Sequence, residues 1–124
     1  MNVVDSSGWL EYFADESNAA FFAPAIEAVS ELVVPSLSLY EVFRRILQQK
    51  NEDEALRAVA LMMQGSVVDL TSAIALSAAV LSLRLRLPMA DSLMLATAQA
   101  YNATFWTQDA DFQNIPGVRY VRKG

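Results

Sequence analysis

The sequence contains no cysteine and no histidine. Their absence excludes a disulfide scaffold, a thiol nucleophile, an imidazole base, a zinc finger and a Ser-His-Asp triad. Any catalysis has to rest on carboxylates, hydroxyls, amines or a hard metal ion, and oxygen-only ligands favour magnesium, manganese or calcium over zinc or copper. Long hydrophobic runs are missing too. The longest uncharged apolar-rich stretch, Ala73 to Leu83, stops at Arg84, well short of the roughly 20 residues that span a bilayer. No membrane span is expected. The N-terminus has no basic segment and places Asp5 where a signal peptide would turn hydrophobic, so the chain reads as cytoplasmic. Glycine and proline number four each and punctuate single elements, and no repeat or linker divides residues 1–124, which read as one domain.

A basic excess is the last absence. Nine Lys and Arg face 14 Asp and Glu, a net charge of −5, and the basic residues are scattered. The apolar fraction is high at 54%, above the roughly 45–50% of ordinary domains, and this points to an apolar interface.

Short β-branched runs alternate with helical patterns. Asn2 to Val4 predicts a strand, and Ser6 or Ser7 offers an N-cap for a helix through Trp9, Tyr12 and Phe13. Asn18 to Glu31 predicts a helix with Pro24 in its first turn, followed by a strand over Leu32 to Val34 that Pro35 ends. Leu39, Val42, Phe43, Ile46 and Leu47 form a helical stripe. A helix over Glu52 to Gln64 starts with three acids and has Gly65 placed to end it. A third strand over Val67 to Leu70 precedes a helix capped by Thr71 and running through Leu87. Pro88 then opens a helix over Ala90 to Tyr101, and strands follow at Thr104 to Trp106 and Val118 to Val121. Strands this short, separated by helices, imply an α/β three-layer domain with a five-stranded parallel sheet covered by helices on both faces. The helix around Ala73 to Leu83 is apolar nearly all round and is expected to be buried on more than one side.

In open sheets of this class the active crevice lies beyond the carboxyl ends of the strands. Asp5 directly follows the first strand, and Asp109 and Asp111 follow the fourth in Thr-Gln-Asp-Ala-Asp-Phe. Asp91 sits at the start of a helix, and Glu41 lies about one turn into the helix after the second strand. Gathering five carboxylates costs repulsion that a divalent cation relieves. Setting these five aside leaves nine acids, equal to the nine Lys and Arg. Each residue also has a plainer reading. Asp5 can be a turn former, Asp91 a response to the helix dipole, and Asp109 and Asp111 an acidic loop. Glu41 points nearly opposite its helix's apolar stripe, as a solvated side chain would. The aromatics Trp9, Tyr12, Phe13, Phe21 and Phe22 read as core or partner contacts.

Taken in order, Val-Val-Asp-Ser-Ser (Asp5, Ser6), Glu41, Pro-Met-Ala-Asp-Ser-Leu (Asp91) and Thr-Gln-Asp-Ala-Asp-Phe (Thr107, Asp109, Asp111) make the chain resemble the PIN-domain family, and within it the VapC-type toxins of prokaryotic toxin–antitoxin pairs. The resemblance spans the whole chain. It implies a Mg²⁺- or Mn²⁺-dependent endoribonuclease, with Asp5, Asp91 and Asp109 as metal ligands, Asp111 as a further one, and Glu41 holding metal or its water. Ser6 and Thr107 would position ligands through their hydroxyls. It also implies a homodimer, a VapB-like antitoxin lying over the aromatic first helix, and an RNA substrate such as transfer or ribosomal RNA. Two other readings stay open: a receiver-type module with Asp69 as phosphoacceptor, and a PIN fold that only binds partners.

Overall fold

Alternation of side chains along three short strands sets the architecture. In the computed structural model, which describes residues 1–124, β1 (Asn2–Val4), β2 (Val33–Pro35) and β4 (Thr104–Thr107) each send neighbouring residues to opposite faces. Val4, Val34 and Trp106 enter one hydrophobic cluster with Trp9, Phe22, Val42 and Met62. Val3, Val33 and Phe105 enter a second with Met94, Leu95 and Phe112. Two cores on one sheet make three layers. The first core is closed by α1 (Ser6–Phe13), α2 (Ala19–Glu27), α3 (Ser36–Gln49) and α4 (Glu52–Met62), and the second by α6 (Met89–Ala100). The remaining helix, α5 (Ser72–Leu85), packs against α6.

All strand pairs are parallel. β1 pairs with β4, and β4 with β5 (Val118–Tyr120), while β2 pairs with β3 (Ser66–Val68). A single parallel bridge between Asn2 and Leu32 joins the two groups, giving the order β3-β2-β1-β4-β5. The five parallel strands expected from the sequence are present, as a three-stranded and a two-stranded ladder. The order reverses between β1 and β4, so the crevice of this fold lies beyond the carboxyl ends of those two strands.

Local corrections have physical causes. Asp5, not Ser6 or Ser7, is the N-cap residue of α1, and its side chain makes no capping bond because other partners hold it. Pro24 lies inside α2 rather than in its first turn, and the helix ends at Glu27 before a 3₁₀ turn at Val29–Glu31. α4 ends at Met62, and Gly65 serves packing: an added Cβ would stand 3.0 Å from the Leu32 carbonyl oxygen. A Cβ at Gly8 would stand 2.6 Å from Phe22, so only glycine lets α1 approach α2 this closely. Thr71 does cap α5 by accepting from the Ile74 N–H, but the helix stops at Leu85 with Arg86 left-handed. α5 is buried on one side only. Ile74 and Ala78 face α6, while Leu76, Val80 and Leu83 are 72%, 51% and 87% exposed. No single helix is long and apolar enough to cross a membrane.

Candidate metal centre

Asp5 leaves β1 with its N–H still bonded to the Trp106 carbonyl, so it stays in register with β4 as the chain turns into α1. Asp5 as a whole is 6% exposed. Oδ2 accepts hydrogen bonds from the Thr107 hydroxyl at 2.8 Å and the Ser7 hydroxyl at 3.2 Å. Thr107 ends β4 and is fully buried. Its single oxygen also accepts the Asp109 N–H at 3.0 Å, so one hydroxyl orders two carboxylates. Asp109 then caps the next 3₁₀ turn, Ala110–Phe112, by accepting the Asp111 N–H at 2.9 Å, which folds Asp111 back beside it.

The third strand of the arrangement is a helix. Asp91 lies in the first turn of α6, and one carboxylate oxygen from each of Asp91, Asp109 and Asp111 falls within 4.8 Å of the others. Asp5 and Glu41 stand outside that trio but within its field. Burial pushes Asp91 from 3.8 up to about 7, and the negative charges of Asp5, Asp109, Asp111 and Glu41 add to the rise. Burial likewise pushes Asp5 up to about 6, against the lowering effect of its Thr107, Ser7 and Ser6 donors. Glu41 does not point into solvent as its helical position suggests: it is half-buried, and Oε1 accepts the Ser6 hydroxyl at 2.7 Å.

The five carboxylates thus share one electrostatic site with no cationic side chain among them, the single ion pair of the molecule being Arg57 with Glu54. Oxygen donors alone, clustered without a compensating positive charge and with Asp5 and Asp91 pushed up by burial, suit a hard divalent cation. Asp69, by contrast, is exposed beyond β3 and does not contribute to the field at Asp91.

Sequence reasoning missed Ser7, read only as a possible helix cap, and the trio Glu11, Asn18 and Gln108. Gln108 Nε2 donates to Glu11 at 3.2 Å, and its Oε1 accepts from Asn18 at 2.9 Å. These partners lie 97 and 90 residues away in the chain, and no local pattern announces them. Ser7 and Gln108 also line a groove of about 490 Å³ on the α1 side of the centre, whose apolar walls are Leu10, Phe13, Ile46 and Leu61.

A family model described as the PIN domain matches residues 3–118. The chain belongs to the PIN family. Solved structures similar to this PIN domain include a toxin–antitoxin complex from Klebsiella pneumoniae, at TM-score 0.81 and 22% identity over 96% of each chain. The Mycobacterium tuberculosis toxin VapC20, described as cleaving the sarcin–ricin loop, superposes with TM-score 0.74 at 15% identity, over 90% of this chain and 92% of that one. A DNA-bound VapBC from Salmonella typhimurium gives TM-score 0.74 and 15% identity over 98% of both chains. At these identities the likeness establishes the shared fold. No curated protein matches this PIN domain in sequence.

Proposed function

We propose that this PIN domain is a Mg²⁺- or Mn²⁺-dependent endoribonuclease toxin of a type II toxin–antitoxin pair. The observation that carries the reading is the convergence of Asp91, Asp109 and Asp111 within 4.8 Å, at the point where the strand order reverses. Asp91, Asp109 and Asp111, with Asp5 behind them, would hold the ion. When bound, the ion supplies neutralising charge and Lewis acidity toward a phosphodiester. The protein's own groups do the rest. Thr107 fixes Asp5 and Asp109 against each other, and Ser6 fixes one oxygen of Glu41, leaving Oε2 free to orient an attacking water and accept its proton. Water attack with Glu41 as the base needs no histidine, and hydrolysis in this way gives a 5′-phosphate and a 3′-hydroxyl. A 2′,3′-cyclic phosphate would contradict this.

Partner surfaces support the same reading. The similar structures include toxin–antitoxin assemblies, and an antitoxin helix with an apolar face fits the groove beside α1, which Leu10 and Phe13 line together with Arg45 and Arg57. Leu76, Val80 and Leu83 on α5 follow the spacing of a helix-pair seam, which suits a second copy of the chain. Arg44, Arg84 and Arg86 are exposed and unpaired, and are free to meet phosphates of a structured RNA such as transfer or ribosomal RNA.

The test is cleavage of a mixed RNA pool by purified protein with Mg²⁺, Mn²⁺ or EDTA, beside Asp91→Asn. Metal-dependent products that vanish in the variant are expected. Products that persist in EDTA or in the variant would overturn the assignment.

A further inference from the structure

Gln108 stands between the two residues on which the acidic centre turns: Thr107, donor to Asp5, and Asp109. Its backbone N–H and carbonyl make no main-chain hydrogen bond, although Thr107 before it accepts from Val121 and Asp109 after it accepts from Phe112. The side chain supplies the missing anchorage. Only 5% exposed, Gln108 donates to Glu11 of α1 and accepts from Asn18. Asn18 in turn donates its backbone N–H to Glu11 at 2.9 Å and its Nδ2 to the Arg122 carbonyl at 3.0 Å. A closed set of hydrogen bonds therefore ties the exit of β4 to α1, to the start of α2 and to the segment after β5.

We infer that Gln108 is a positioning residue for the carboxylate centre, holding the Thr107–Asp109 segment at the spacing a metal ion requires. The inference rests on the metal-dependent reading above. Cutting the anchor leaves every carboxylate in place but frees the segment that carries Asp109 and Asp111 to move relative to Asp91. Groups that orient metal ligands from behind commonly affect metal affinity by about 10–100-fold.

The experiment is Mn²⁺ titration of the whole protein, read by calorimetry and by the loss of free-ion electron paramagnetic resonance signal. Q108A is expected to bind Mn²⁺ about tenfold more weakly than the native chain. N18A, which removes the Nδ2 bonds to Gln108 and to the Arg122 carbonyl and no helix cap, is expected to weaken it less and in the same direction, and it carries the test if Q108A fails to fold. N2A is the structural control. It deletes the 2.9 Å bond from the Trp106 indole, on the same strand but away from the loop, and is expected to lower the melting temperature while leaving Mn²⁺ affinity unchanged. Native affinity in both Q108A and N18A, or equal weakening in N2A, overturns the inference. A native chain that binds no Mn²⁺ overturns the metal reading itself, and the inference with it.

Discussion

Replacing Asp91 by asparagine removes the charge most burdened by its neighbours and keeps the shape of the protonated acid. Desolvation and four nearby carboxylates raise Asp91 from 3.8 to about 7, a difference worth about 4 kcal/mol at full strength. The group is half-exposed, and solvent screening reduces this to about 2 kcal/mol. The folded metal-free protein binds the proton more tightly than the unfolded chain does. Its stability is therefore greatest below pH 4 in this respect and falls as pH rises through 7. In EDTA at pH 8, Asp91→Asn should accordingly be more stable than the native protein, with a melting temperature higher by roughly 6–10 °C for a domain of this size. At pH 4 the advantage should vanish. Saturating Mn²⁺ should reverse the order, since binding at about 100 times the dissociation constant adds about 2.7 kcal/mol to a chain that keeps its ligand. Differential scanning calorimetry at the two pH values, with and without Mn²⁺, reads all of this. A variant no more stable than the native protein at pH 8, or an advantage that persists at pH 4, would refute the account of Asp91 as an uncompensated charge.

Thr107→Val keeps the volume of a fully buried residue but leaves Asp5 and the Asp109 N–H each short of a partner; it should cost about 2–3 kcal/mol in urea unfolding and abolish RNA cleavage. Retention of cleavage would show that the shared hydroxyl does not order the site. Ser6→Ala should change stability by no more than about 1 kcal/mol while lowering kcat about tenfold through a misdirected Glu41; an unchanged kcat would remove Glu41 from the proton-handling role. Leu83→Glu places a charge at the most exposed apolar residue of α5 and should shift sedimentation from dimer to monomer; a native chain that is already monomeric would remove the second copy from that face.

The fold was legible wherever a residue's role is local. Val3-Val4, Val33-Val34 and Phe105-Trp106 announce strands by composition, and the acids that follow them fall at strand ends by simple succession. The order of those strands was not legible, because three residues of apolar sequence carry no record of which neighbour they pair with. Glu41 shows the same limit. Its helical phase indicates solvent, and only the Ser6 hydroxyl, 35 residues earlier, makes it part of the site. The exposed face of α5 is the converse case. Its composition reads as buried, and within one chain α6 covers only the Ile74–Ala78 side. Pro24 misled in a different way, since packing of Phe22, Ala25 and Ile26 into the core outweighs the bond its ring deletes from α2.

The central strand β1 lies between β2 and β4, and Asp5 takes its orienting hydroxyl from Thr107, 102 residues later. Synthesis runs from the N-terminus, so the first part of the chain emerges with one edge of β1 open and its acidic residue unsupported. Helices α1 to α5 and strands β1 to β3 can gather before β4 exists, but Asp109 and Asp111 arrive only after it. The carboxylate centre therefore cannot assemble until β4 and the turn after it have been made. A ribosome partway through this chain thus carries Asp5, Glu41 and Asp91 without the residues that bring them together.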